Sequence, residues 1–81
     1  MLHSRSDYDR IQDPYGLIPN DEPVMLLRGQ DKFAPELVLI WATKLRLDGG
    51  NPEMARMMED HAQKMIYWQN NVFVKQPDLP C

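Results

Sequence analysis

Three apolar blocks stand out in a polar background: Val24 to Leu27, the unbroken run Leu37 to Ala42, and a spaced series from Met54 to Val72. The second block sits inside a strongly signalled helix over about residues 34–47. Asp31 is a cap candidate, Pro35 suits a first turn, and Glu36 lies where the helix dipole favours negative charge. Lys44 and Arg46 fall in the last turns, and Gly49 supplies the positive φ that ends a helix. Leu37, Val38, Leu39, Ile40, Trp41 and Ala42 cover more than one face of it, which a single neighbouring helix cannot bury.

Asn51-Pro52-Glu53 opens a second helix, over about 52–70, with a cap, a proline at the first helical position and an acid in the first turn. Met54, Met58, His61, Met65, Trp68 and Val72 recur at spacings of four and three, the pattern of a packing seam, and Ala55, Ala62 and Ile66 widen it. Asn70 and Asn71 are suited to its end. The short link around Gly49 and Gly50 makes the two helices an antiparallel hairpin.

The flanks are punctuated. Residues 1–23 form a polar N-terminal arm with a turn at Asp13-Pro14-Tyr15-Gly16, its first residues expected to be mobile and Leu17 and Ile18 expected to clip it to the core. Residues 24–71 form the hairpin domain, and 72–81 an extended tail whose two prolines exclude a helix. Val24 to Leu27 follows Pro23 and is short enough that periodicity leaves strand and helix open; read as a strand, it has an antiparallel partner in Val72-Phe73-Val74, unless that tail reaches another subunit. The fold class is thus mostly α: a helical hairpin with extended arms and a short β segment.

Size turns this into an argument for assembly. A chain of 81 residues buries roughly 60–65% of its unfolded surface, and two helices make one layer. Leaving several Leu or Met side chains exposed, each worth about 1.5–3 kcal/mol when buried, would remove most of the stability of so small a domain. The expected state is an oligomeric helix bundle, dimer or higher, with an interface of Leu37, Ile40, Trp41, Leu45, Met58, Met65 and Trp68. Of the six methionines, Met54, Met58 and Met65 read as core, whereas Met57 lies off the seam and suits a partner contact.

Charge and cysteine content narrow the function. A net charge of −3 argues against general nucleic-acid binding, and the arm carries Asp7, Asp9, Asp13, Asp21 and Glu22 against Arg5 and Arg10. The sole cysteine, Cys81, excludes an intrachain disulfide and a cysteine-rich metal site. No apolar run approaches the 18 or so residues of a membrane span, and the N-terminus lacks the apolar core of a secretory signal, so a cytoplasmic setting is expected.

Catalytic signals are weak. His61 has no convergent partners in sequence and reads as a seam histidine hydrogen-bonded at the core edge. Glu59 and Asp60 diverge on a helix, and with Asp21-Glu22 they read as solvated charge. No glycine-rich phosphate loop, nucleophile elbow or metal-spaced cluster is present, so neither an enzyme nor a metal or other cofactor is expected. The hinge Arg28-Gly29-Gln30-Asp31-Lys32 differs, because it sets a guanidinium, an amide and an ammonium beside a helix N-terminus. Arg28, Gly29, Gln30 and Lys32 are the candidate site for a small anionic ligand of the nucleotide kind, with Trp41 as a stacking wall brought by another subunit. The alternative is an Arg28 pair with Asp31 or Asp21, a solvated Lys32 and a simple glycine turn.

The run from Ile18 to Lys32, IPNDEPVMLLRGQDK, with Ala34-Pro35, Trp41-Ala42 and His61-Ala62, resembles a group of small helical proteins encoded by phages and prophages. The likeness spans residues 10 to 68 and carries no catalytic motif. It implies a setting in which proteins of this size act by binding. Some are helical oligomers that sequester host nucleotide signals, similar in outline to a helix, short link, helix plan, and others inhibit or scaffold a host or phage protein.

Overall fold

The computed structural model describes residues 1–79. Two short strands, β1 (Leu2–His3) and β2 (Pro23–Val24), precede two helices, α1 (Ala34–Leu47) and α2 (Pro52–Asn71), and a single 3-10 turn lies at Ser6–Tyr8. The protein is mostly helical, and the principal contact is α1 against α2.

Each helix end has a local cause. Asn51 Oδ1 accepts from the N–H groups of Glu53 and Met54 at 2.9 and 3.3 Å, so α2 is capped by its own side chain. At α1 the cap differs from expectation. Phe33 occupies the cap position without a side-chain bond, and Asp31 serves the turn before it, with Oδ1 accepting from Phe33 N–H at 2.8 Å and its carbonyl from Ala34 N–H at 3.0 Å. Gly49 has φ 77°, and Gly50 N–H reaches back to the Leu45 carbonyl at 2.9 Å. A Cβ on Gly50 would overlap Leu45 Cδ1 and stand 2.8 Å from its Cγ, so the link needs glycine for close approach as well as for turning.

The hairpin seam is not the one expected from the large apolar residues. Its buried members are Ala34, Pro35 and Ala42 on α1 and Ala55, Ala62 and Met65 on α2, with Val38, Leu45, Met58 and Ile66 half-buried beside them. Alanines let two backbones approach, and the larger side chains are displaced to the flanks. His61 is correspondingly exposed rather than seated in the seam, and Met54 and Trp68 are 47% and 41% exposed. Arg46 and Glu59 bridge the helices with two bonds, at 2.6 and 3.2 Å, and the guanidinium holds the Glu59 carboxyl below its ordinary value.

The arms also depart from expectation. The first residues are pinned: β1 pairs with β2 in parallel, Leu2 opposite Pro23 and His3 opposite Val24, and the Met1 amino group donates to the Pro19 carbonyl at 2.9 Å. Ile18 is half-buried but Leu17 is exposed, so only one half of the expected clip holds. Of Val24 to Leu27 only Val24 is strand, and the tail pairs elsewhere, through Lys75, whose N–H donates to the Gln30 carbonyl and whose carbonyl accepts from Lys32 N–H. Helix length explains this. At 1.5 Å per residue α1 is about 21 Å long and α2 about 30 Å, so α2 overruns the start of α1 and delivers the tail to the hinge. Cys81 lies outside the described residues.

The result is a slab 34 × 33 × 19 Å with a radius of gyration of 14.2 Å, against about 12 Å for a compact chain of this length. By helical spacing Leu37, Trp41 and Leu45 share one side of α1, and Met54, Met58 and Trp68 one side of α2. Leu39, Ile40, Thr43 and Ile66 line a broad groove that includes none of them, so Ile40 is separated from the remaining expected interface residues. No described helix is long and apolar enough to cross a membrane.

Candidate functional site

The hinge before α1 is clamped from two sides. Gln69 Nε2, near the end of α2, donates to the Gly29 and Asp31 carbonyls at 2.9 and 2.7 Å, while Lys75 N–H holds the Gln30 carbonyl at 2.9 Å. Asp31 N–H closes the turn onto the Arg28 carbonyl at 3.0 Å. Four successive hinge carbonyls therefore have partners, and the Arg28 side chain projects from an ordered backbone.

Arg28 is the centre of the site. Its guanidinium lies 5.8 Å from the centre of the Tyr8 ring, on which Arg5 also stacks at 4.1 Å. Arg5 is committed to Asp7 by two bonds, at 2.7 and 3.1 Å, which lower the Asp7 pKa and raise that of Arg5. Arg28 has no carboxylate within salt-bridge distance among the described residues. The pairing with Asp31 or Asp21 that would have neutralised it does not form, because the Asp31 carboxylate is turned to the Phe33 N–H.

Three concavities meet at this side chain. A hollow of about 220 Å³ is formed by Arg28, Gly29, Gln30 and Trp68. Another of about 410 Å³ joins Arg28 to Arg10, Tyr8, Asp7 and Leu26. A more enclosed cleft of about 170 Å³ runs beneath, walled by Leu26, Leu27, Phe33 and Leu37 and bordered by Lys75 and Asp78. Lys75 is paired with Asp78 at 2.8 Å, and the Asp7 charge is offset by Arg5, so Arg10 and Arg28 are the guanidinia left to face a ligand here. The chemistry offered is a positive rim for an anion, an indole face for a planar group, and an apolar floor.

The structure thus unites Arg28, Gly29 and Gln30 but not Lys32, which lines the separate groove with Glu36, Leu39 and Ile66. The expected contribution of the helix N-terminus is also reduced: Asp31 takes the Phe33 and Ala34 N–H groups, and Pro35 has none to give. Within the chain the aromatic residue that lines this hollow is Trp68, whereas Trp41 lines a separate concavity with Lys44, Leu45 and Asp48. The place of Trp68 was open to inference, since the end of α2 must neighbour the start of α1 in an antiparallel hairpin. Tyr8 and Arg10 carried no such signal, because they arrive through the fold-back of the arm onto β2.

His61 is exposed on α2 and His3 lies in β1, and among the described residues no group of three or more His, Cys, Asp or Glu could hold a metal ion. No protein-family model, curated protein or solved structure matches this chain.

Proposed function

We propose that this protein is a non-enzymatic binding protein, assembled through the apolar flank of its hairpin, that captures a small phosphate-bearing ligand of the nucleotide class at Arg28. The observation that carries the reading is the Arg28 guanidinium, unpaired among the described residues, on an ordered hinge beside Trp68 and above an apolar cleft. A guanidinium offers a phosphate two parallel hydrogen bonds, and an indole offers a base a stacking face. In the phage setting that the hinge sequence resembles, such a protein would act in the cytoplasm of an infected cell by withholding a nucleotide signal from host defence.

Thermal-shift titration with cyclic and linear nucleotides tests this. The wild type and Lys32→Ala should be stabilised by a bound nucleotide, and Arg28→Ala should lose the shift. Equal shifts in all three proteins would remove the hinge from the account.

A second reading, a module that inhibits or scaffolds a partner protein, is favoured by Met57, Val72, Phe73 and Val74, all of which stand exposed around α2 and its exit. Absence of any nucleotide shift in the folded wild type would favour it over ligand capture.

A further inference from the structure

The turn from Asp13 to Ile18 holds two large apolar side chains in water, and it is built to do so. Asp13 Oδ1 accepts from Leu17 N–H at 2.9 Å, Oδ2 from Ile18 N–H at 3.0 Å, and its carbonyl from Gly16 N–H at 3.1 Å. Gly16 has φ 63°, a conformation strained for a residue with a side chain. Because the charged carboxylate is the acceptor, these bonds also hold the Asp13 pKa below its ordinary value. The base of the turn is tied by Met1 and Glu22, both donating to the Pro19 carbonyl. On this frame Tyr15 is 84% exposed and Leu17 77%.

A lone exposed apolar residue needs no explanation. An ordered turn that presents two of them is different, since its conformational entropy is already spent before any partner arrives, which is how rigid contact loops gain affinity. Among the described residues neither side chain is packed away, and neither lines the apolar cleft beneath Arg28.

That cleft has room for one such side chain. Its volume of about 170 Å³ is comparable to the roughly 150 Å³ apolar cavity that accepts a benzene ring in another protein. Leu26, Leu27, Phe33 and Leu37 supply the walls, and the charged side chains around them are Arg5, Arg28 and Lys75 against Asp31 and Asp78, with Arg5 paired to Asp7 and Lys75 to Asp78. Charge agrees with shape. From residue 11 to 27 the chain carries Asp13, Asp21 and Glu22 and no Lys or Arg, so an acidic knob faces a rim whose Arg28 is unpaired among the described residues.

We propose that the Tyr15–Leu17 knob of one copy seats in the Leu26, Leu27, Phe33, Leu37 cleft of a second copy. The contact is head-to-tail: the donor surface and the acceptor surface are different, so each copy gives one knob and accepts another. Such contacts close as a ring or continue as a filament, unlike the face-to-face pairing of two identical hairpin flanks. The contact takes the cleft and the Arg28 rim that the proposed ligand also uses, so knob and ligand compete there, and it adds a second interface to the assembly.

Two variants test it, with folding checked by circular dichroism. Tyr15→Ser with Leu17→Ser removes the knob from exposed positions; Leu26→Glu charges the wall of the cleft. Sedimentation over a micromolar range should show a lower mass for each variant alone than for wild type. An equimolar mixture should regain a mass above that of either variant alone, because the knob of the second variant still fits the cleft of the first. Unchanged mass in the knob variant overturns the proposal, and so does a mixture of folded variants that fails to associate. Should Leu26→Glu not fold, the knob variant added in excess to wild type must lower the mean mass, since it accepts a neighbour without donating to the next; no change contradicts the contact. Trp41→Ser, tested separately, reports on the hairpin flank, so loss of one interface is distinguishable from loss of the other.

Discussion

Gly29 and Gly50 show how differently one residue type is used a few positions apart. A Cβ at Gly29 meets nothing within 4 Å, and its φ is not in the left-handed region, so the protein itself does not require glycine there. Gly29→Ala should leave the thermal midpoint unchanged or raise stability by about 0.4–1 kcal/mol, while weakening nucleotide binding in the hollow it shares with Arg28 and Trp68. A loss of stability with binding intact would show that Gly29 is structural and the hollow unoccupied. Gly50→Ala should do the reverse and lower the urea midpoint, because the added methyl meets Leu45 and the backbone bond to its carbonyl has no room to adjust. At this scale the sequence is highly readable where the cause is local. Asn51, Pro52 and Gly49 act on their immediate neighbours, and they do what their chemistry dictates. Asp31 reads less well: its carboxylate accepts from Phe33 N–H and its carbonyl from Ala34 N–H, so it closes the turn before the helix instead of occupying the cap.

Among the elements, the hairpin was legible and its seam was not. Apolar periodicity marks faces that are buried against something, without saying whether the neighbour belongs to the same chain. The Met54, His61, Trp68 side of α2 satisfies the pattern, yet α1 packs beside it on Ala55, Ala62 and Met65. Alanine is a quiet signal, because it is a good helix former anywhere and announces a close helix contact only once the partner is seen. The two sides should respond oppositely to substitution. Ala62→Leu should cost about 1–3 kcal/mol in denaturant titration by forcing the helices apart, whereas His61→Ala should stay within about 0.5 kcal/mol. Equal effects would place the seam where the large residues are. The tail and the arm were least legible, since their partners, Gln30, Val24 and Tyr8's neighbour Arg28, are set by where α2 and β1 end and not by local composition.

For the molecule as a whole, the buried core among the described residues is four alanines, a proline and one methionine, and the slab leaves Leu37 at 47%, Trp41 at 45% and Met54 at 47% exposure beside it. Trp41 and Trp68 alone retain roughly 60–110 Å² each outside the fold, from a full burial of about 150–250 Å² for an aromatic side chain. In the proposed assembly, burying these side chains against a second copy would extend the core across a subunit boundary and would set Trp68, which lines the Arg28 hollow, at the edge of the interface, so that binding and assembly would share a residue. Sedimentation equilibrium across a micromolar concentration range is the most direct test of this account. It predicts a folded species whose mass is a multiple of the 9.5 kDa chain and is lower in Trp41→Ser than in wild type; a stable, well-folded 9.5 kDa monomer throughout that range would contradict it.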